Sequence, residues 1–570
     1  MKTTKNIARL AVTAGLTAAL SFGGVMAPVA MAFAEDAAAT ANGSVTIANV
    51  EGNHTEFDGY QIFKADVATV EGKTVVSNIT WANGSVKAAV EGVIKNEEPT
   101  YKGKTAQDAA DWITSKVTGT NDAYCVGPDN IAYKIAAAVD DLTDKKTTSA
   151  GVASGLEHGY WLFVTDAGTI GDGEAGSSPI FTVVGNTPVK VTEKTGIPTV
   201  EKKIVSDADG KEHDAADSQI GQDVTYNLYG TVAENFDKYD TYFYQFSDQI
   251  SKGLALQDGA KVYLYANKDA AKADLDHAKA TDITNYFTPS TAEAAADGSK
   301  TTTWTCNNLK NVADVTKDSC IVVSYTARIN EHAIVAGTEG NNNAVILKYS
   351  NNPMDKDSKG QTPPDTVKDY TYGLRINKVD LGTETKLPNA QFTITTNGDE
   401  KNEQVKYVDD KGKLSTNEVI LKTNGDGVIT LTGLDAGVYT VKEVSAPDGY
   451  TAVDPFTFEI RPTMTDDGPA AGLTRVTGEL KTSQETKVIA GLNDTSAGKV
   501  GDNKLDFKEG TLINTDDGTF NITVGDTKQI NLPLTGLNGV TFTWIAGGAV
   551  LCIGVAHLIR SRKRDDGSEE

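Results

Sequence analysis

The sequence predicts an all-β protein built from tandem immunoglobulin-like β-sandwiches. Short runs of alternating apolar and polar residues recur along the chain, as in Ser44-Val45-Thr46-Ile47, Thr225-Tyr226-Asn227-Leu228-Tyr229, Lys261-Val262-Tyr263-Leu264-Tyr265 and Gly437-Val438-Tyr439-Thr440-Val441. A period of two is the signature of strands with one buried face. Gly, Asn and Asp clusters separate the runs at the spacing expected of sandwiches. Helical patterning is confined to residues 84–95, 105–118 and 129–142, with an alanine-rich insertion near 268–280.

Two breaks divide the chain. Lys194-Thr195-Gly196-Ile197-Pro198 separates a first module, residues 35–194, from a middle one, 195–366. Gly360-Gln361-Thr362-Pro363-Pro364-Asp365 closes the middle module before a third, 367–531. Each has the length of an ordinary domain with its own core. The net charge of −24 disfavours a nucleic-acid partner, since no basic stripe interrupts it. Four cysteines in 570 residues exclude a disulfide-dense scaffold. Cys306 and Cys320 flank a hairpin and are expected to pair in an exported protein, while Cys125 and Cys552 are left over. Six scattered histidines offer no metal-ligand spacing, and neither a phosphate loop nor a nucleophile elbow is present. No metal, cofactor or turnover enzyme is expected.

Both ends read as processing signals. Lys2, Lys5 and Arg9 precede an apolar stretch and Ala32-Phe33-Ala34, the pattern of a secretory signal peptide (1–34) cut after Ala34. At the other end, residues 532–570 hold Leu532-Pro533-Leu534-Thr535-Gly536, an apolar run from Val540 to Ile559, and Arg560, Arg562, Lys563 and Arg564. About 20 residues at 1.5 Å each cross a hydrocarbon core, and the basic cluster stays cytoplasmic. In this setting the pentapeptide resembles the LPxTG sorting signal of Gram-positive surface proteins, which sortase transpeptidases cut between Thr and Gly. The resemblance implies cleavage after Thr535, with Leu532, Pro533 and Gly536 as recognition residues, and a precursor held in the membrane.

The third module contains a lysine on the wrong phase. In Leu374-Arg375-Ile376-Asn377-Lys378, Lys378 shares the apolar phase of Leu374 and Ile376. Downstream, Glu443 shares the phase of Tyr439 and Val441. Ions directed into a core are costly unless neutral or paired. The stretch Lys442-Glu443-Val444-Ser445-Ala446-Pro447-Asp448-Gly449-Tyr450 resembles the E-box of collagen-adhesin B-type domains. In that family a buried lysine forms an amide with an Asn or Asp side chain on the last strand, and the glutamate catalyses it. Burial suits this chemistry, because it keeps an amine neutral and nucleophilic and a carboxyl protonated. The resemblance implies a Lys378–Asp526 bond with Glu443 as catalyst. Asp526 lies in phase with Phe520, Ile522 and Val524, whereas Asn521 points the other way and is held in reserve.

The first module aligns with the third, yet Asn49 stands for the lysine and Thr165 for the glutamate, so no amide bond is expected there. The middle module opens on Val200-Glu201-Lys202-Lys203-Ile204, where Lys202 is in the apolar phase, and it ends on Asn343 to Pro353. With Phe246-Ser247-Asp248 between them, this resembles the fimbrial isopeptide-forming D2 domain of backbone pilins. The resemblance assigns Lys202, Asp248 as acidic catalyst and Asn351 as amide partner, with Asn343, also in phase, as the alternative.

Backbone pilins of that family also carry a lysine at the junction of their first two domains, which receives the cleaved threonine of the next subunit. The family's V-Y-P-K core is absent; Val189-Lys190-Val191-Thr192-Glu193-Lys194 stands there, which makes Lys194 the choice and Lys190 the alternative. The expected function is the major subunit of a sortase-assembled pilus, joined head to tail through Thr535, anchored to the cell wall and supporting adhesion. Sortase, identical subunits, minor pilins and peptidoglycan are the expected partners, and the surface it adheres to is unspecified. A singly anchored adhesin and a base or tip pilin are the competing readings.

Overall fold

The computed structural model describes residues 43–70, 73–116, 130–193, 195–335, 337, 339–383, 385–396, 405–465, 468, 470–482, 490–491, 504–508 and 519–529. The leader, Cys125, Lys194, the pentapeptide at 532–536 and Cys552 therefore lie outside the described residues. No helix among the described residues is long and apolar enough to cross a membrane.

The first module is a sandwich with a helical layer added. A three-stranded sheet places Gly43–Ala48 between Val152–Leu156, antiparallel, and Val189–Thr192, parallel. A five-stranded sheet runs Lys73–Trp81, Phe57–Val70, Gly159–Thr165, Ile180–Val184, with Lys146–Thr147 on its edge. All seven residues of Gly159–Thr165 are buried. Trp161 and Phe163 face the small sheet with Val45, Ile47 and Leu156. Tyr160, Leu162 and Val164 face the helices. Burial on both faces explains why Tyr160 to Val164 is a continuous apolar run and not an alternating one.

The helices are Gly84–Glu97, Ala106–Lys116 and Ile131–Val139. Each start is capped. Asn83 and Asn130 accept from the backbone N–H groups of Val86 and Ala132. Thr105 and Asp108 cap one another reciprocally at 3.0 and 2.9 Å. Val86, Val90 and Ile94, four residues apart, form the buried stripe of the first helix.

The middle module packs two large sheets face to face. One runs Glu212–His213, Val200–Val205, Asp223–Thr231, Cys320–Ile329, Lys261–Tyr265, Thr281–Asp282, with Leu254–Leu256 beside it. The other runs Ala215–Asp217, Asp365–Tyr370, Asn341–Ser350, Tyr244–Ile250, Lys300–Cys306, Thr288–Thr291, with Lys359–Gln361 beside it. Tyr226, Leu228, Phe246, Trp304, Val345 and Leu347 fill the space between. Strand Asp365–Tyr370 pairs with Asn341–Ser350, so the middle sandwich extends to Tyr370, past the expected boundary at 366.

The third module begins with Tyr372–Asp380, which lies between Val428–Leu434, antiparallel, and Thr519–Lys528, parallel. Facing it is a sheet whose central strands are Gln391–Thr396, Gly437–Ser445, Phe456–Thr465 and Gly472–Thr482. Leu374, Ile376, Phe392, Tyr439, Val441, Phe458, Phe520 and Ile522 form the core. The third module thus joins its first strand and its last described strand side by side. The middle and third modules also meet closely: Gly433, at φ +79°, has room for no Cβ against the Ile220 side chain, and its carbonyl accepts from the Ile220 N–H at 3.0 Å.

The expected disulfide is corrected by this architecture. Both thiols are free and buried. Cys306 points between the two middle sheets, beside Trp304 and Leu309. Cys320 points to the outer face of its own sheet, among Tyr229, Tyr265 and Ala271. Facing away from each other across a sheet, they cannot meet the geometry of a bridge. Burial pushes the Cys320 thiol up to about 12 and raises that of Cys306, so both stay protonated and unreactive. Peptide mapping after alkylation should find both residues unmodified in folded protein and both modified in denaturant without prior reductant.

Candidate functional site

Among the described residues two lysines are fully buried, Lys202 and Lys378, and each lies at the centre of a polar cluster inside an apolar core. Removing an ammonium from water costs several kcal/mol even after relaxation, so each cluster must supply its compensation.

In the third module the register brings the groups together. Lys378 pairs with Val524 and Asp380 with Asp526 on adjacent parallel strands, which sets Asp526 two residues along from Lys378 on the same inward face. Glu443 reaches the pair from the opposite sheet, on strand Gly437–Ser445. The Lys378 Nζ donates to Glu443 Oε2 at 2.8 Å and to Asp526 Oδ1. The N–H of Val453 also donates to Glu443 Oε2, at 2.9 Å, and fixes that side chain. Glu443 Oε1 and Asp526 Oδ2 are buried without a hydrogen-bond partner among the described residues. Burial raises the Asp526 carboxyl to about 7, Lys378 opposes the shift, and the charge of Glu443 adds to it. A lysine amine therefore touches a carboxyl that is readily protonated, with a second carboxylate alongside. Phe392 closes the site, its ring centre 5.5 Å from Nζ.

In the middle module the cluster spans the two sheets. Lys202, opposite Leu228 on the first sheet, reaches across to Asp248 and Asn343 on the second. Its Nζ donates to Asp248 Oδ1, to Asn343 Oδ1 at 2.6 Å and to the Tyr325 hydroxyl at 3.0 Å. Asp248 pairs with Val345 and Ile250 with Asn343, so the acid and the amide are diagonal neighbours. Burial lowers the Lys202 amine to about 8, against the pull of Asp248.

Asn351 is not at this site, and its assignment is corrected. The strand ends at Ser350. Beyond it, Asn351 Nδ2 donates to the Glu174 carbonyl at 3.4 Å and Oδ1 accepts from Ser358 Oγ at 2.8 Å. Its own carbonyl accepts from the Gly176 N–H at 2.6 Å. These contacts fasten the first module to the middle one. Asn343, the alternative, is the amide that touches Lys202. Period-two phase distinguishes faces of a strand but not positions along it, and Asn343 and Asn351 share a phase.

The first module lacks both halves of the cluster. Asn49 Nδ2 donates to the Thr55 carbonyl, and Thr165 Oγ1 accepts from the Ser177 N–H. At the junction around 194, Glu193 is buried and accepts from the Val50 N–H and from Asn53 Nδ2, each at 2.8 Å. Thr195 Oγ1 donates to the Gly176 carbonyl at 3.0 Å. Lys190 is exposed on strand Val189–Thr192. Glu193 and Tyr325 were not legible as site residues; their only sequence signal is an acidic or hydroxyl group within an apolar strand pattern.

Residues 373–469 match the family model described as the SpaA prealbumin-like fold domain. The chain is 25% identical over 417 residues to the trypsin-resistant surface T6 protein of Streptococcus pyogenes serotype M6, which covers 65% of this chain and 70% of that relative. Among solved structures it is similar to the T6 backbone pilin of serotype M6 Streptococcus pyogenes, 18% identical over 85% of this chain and 98% of that one, TM-score 0.48. It is also similar to the major pilin SpaD from Corynebacterium diphtheriae, 16% identical over 86% and 98%, TM-score 0.42.

The third cluster has a testable pH signature. In Lys378→Met, burial and Glu443 still raise Asp526 while the opposing lysine is gone. The folded domain then holds a proton that the unfolded chain has lost between the ordinary carboxylate value and about 7 or above. Stability must fall as pH rises through that window. Calorimetry should show a lower melting temperature for the third module of this variant at pH 8 than at pH 5; equal values would contradict the burial described.

Proposed function

We propose that this chain is the backbone subunit of a covalently polymerised pilus on a Gram-positive cell surface. The observation that carries the proposal is the meeting of Lys378, Glu443 and Asp526 in a sealed core, on a last strand that runs toward Leu532-Pro533-Leu534-Thr535-Gly536. The similarity to the trypsin-resistant surface T6 protein and the match to the SpaA prealbumin-like fold domain support it.

The third module would close its own amide. The Lys378 Nζ attacks Cγ of Asp526, and a C–N bond forms as the bond from Cγ to the departing oxygen breaks. Glu443 takes the proton from the amine and returns one to the leaving oxygen, which departs as water. Contact in a rigid core supplies the high effective concentration such a reaction needs. In the middle module Lys202 would join Asn343 in the same way, with ammonia leaving and Asp248 as the acid. Both reactions occur once per molecule and are self-modifications, not turnover.

Such bonds would bear load in a fibre. Tension enters the third module at Tyr372 and leaves after Lys528, at opposite ends of two adjacent parallel strands. An amide between Lys378 and Asp526 carries that load covalently, and the facing sheet is bypassed. As a cross-link it also restricts the unfolded ensemble, as a disulfide would, but reduction does not break it.

Polymerisation would use Thr535. Sortase forms an acyl-enzyme there by releasing Gly536, and the amine of Lys194 on a neighbouring subunit displaces the enzyme. Head-to-tail joining that does not close on itself generates a filament. The last subunit is passed to peptidoglycan.

Two measurements test this. The intact mass of the exported region should fall short of its sequence by one ammonia and one water, and Lys378→Ala should restore the water alone. Wall extracts boiled in SDS should show a high-mass ladder that collapses in the Lys194→Ala, Lys190→Ala double variant. A single anchored band from the unmodified protein would identify a monomeric adhesin in its place.

A further inference from the structure

We infer that Tyr325 is a catalytic residue of the middle module, the group that delivers a proton to the departing nitrogen of Asn343. The inference rests on the Lys202–Asn343 amide proposed above. Tyr325 touches all three reacting groups. Its hydroxyl accepts from Asn343 Nδ2 at 2.7 Å, accepts from Lys202 Nζ at 3.0 Å and donates to Asp248 Oδ2. Asp248 in turn binds Lys202 through its other oxygen. Tyr325 therefore stands between the acid and the leaving group.

Chemistry requires a group in that place. An amide nitrogen leaves only after it is protonated, because the amide anion is too basic to depart. In the step, the Lys202 proton passes to Asp248 and the neutral amine attacks Cγ of Asn343. The amide nitrogen, now pyramidal, exposes a lone pair. The Tyr325 hydroxyl gives its hydrogen to that nitrogen as Asp248 returns a proton to the phenolic oxygen. The Cγ–Nδ2 bond breaks, ammonia leaves, and the new secondary amide passes its surplus proton to Asp248. Tyr325 ends as it began, and one C–N bond has replaced another.

The tyrosine is held for this task. It pairs with Tyr226 across adjacent strands, its ring stacks on Tyr226 and on Trp304 at centroid distances of 5.4 Å, and it is buried. Burial and the neighbouring Asp248 keep its hydroxyl protonated. The third module provides the contrast. There the aromatic ring beside the lysine is Phe392, 5.5 Å from Nζ, where Tyr325 stands 5.4 Å from Lys202. Asp526 loses water, its departing Oδ2 has no partner among the described residues, and its carboxyl can carry its own proton. A lysine site that expels ammonia has the hydroxyl; the one that expels water has a bare ring.

The test uses Tyr325→Phe in the full exported chain, which keeps the stacked ring and removes only the hydroxyl. Samples taken from cell-free synthesis at intervals are digested and analysed by mass spectrometry for the peptides around Lys202, Asn343, Lys378 and Asp526. Loss of ammonia in the middle module should slow by about a hundredfold, the usual weight of one positioned proton donor. Loss of water in the third module should keep its rate, and the variant should unfold cooperatively with its middle module intact. Ammonia loss at the unmodified rate in Tyr325→Phe overturns the role of Tyr325 while leaving the amide bond standing. Absence of ammonia loss in the unmodified protein overturns the bond itself. Should Tyr325→Phe fail to fold, 3-fluorotyrosine is placed at position 325 during cell-free synthesis, which keeps the ring and the hydroxyl but makes the phenol more acidic: a changed rate of ammonia loss with water loss unaltered supports the proton donor, and an unchanged rate overturns it.

Discussion

A lysine amine sealed inside an apolar sandwich is the constraint on which the rest of this structure depends. An ammonium that loses its water must regain comparable stabilisation from its neighbours or give up its proton. At Lys378 the neighbours are two carboxyl groups, one from the adjacent strand and one from the facing sheet. At Lys202 they are a carboxylate, an amide and a phenol. Both arrangements hold an amine in contact with a carbonyl carbon's substituents, with an acid beside it, and no water between. The same burial that makes a lysine expensive to keep charged favours the neutral, nucleophilic form that the proposed amide bonds require.

The strand order follows from that requirement. For Lys378 to meet Asp526, the first and last strands of the third module must be neighbours, and the parallel register Leu374–Phe520, Ile376–Ile522 sets the offset between the two side chains. A slip of one residue would turn Asp526 to the solvent face. In the middle module the lysine and the amide occupy opposite sheets, so the sandwich must keep its full thickness of packed side chains for the contact to persist. The joints are tied in the same spirit. Asn351 fastens the first module to the middle one, and Gln219, Ile220 and Gly433 fasten the middle to the third. A chain of modules joined this way suits a load-bearing role better than a set of beads on flexible linkers.

The sandwiches and the inward lysines were legible because they rest on local signals: period two, turn residues and a charged residue in an apolar phase. The helical patches near 84, 105 and 131 were legible for the same reason. The helical layer as a cover for the second face of the five-stranded sheet was not, although the unbroken run Tyr160 to Val164 required burial on both sides. The Cys306–Cys320 pairing failed because nearness in sequence says nothing about which face of a sheet a side chain occupies.

By itself the sequence marked Lys202, Lys378, Glu443 and Asp526 as ionisable groups on an apolar phase, while Asp248 came only from the resemblance. The tertiary structure alone decided which of them meet, and with what. Asn343 and Asn351 are equivalent by periodicity, yet only Asn343 lies opposite Ile250, within reach of a lysine on the other sheet. Tyr325 looks like any core tyrosine until two sheets close and bring its hydroxyl between Asp248 and Asn343. Periodicity is a property of one strand, whereas contact across a sandwich depends on the register of several strands at once, and that is settled only when the core packs.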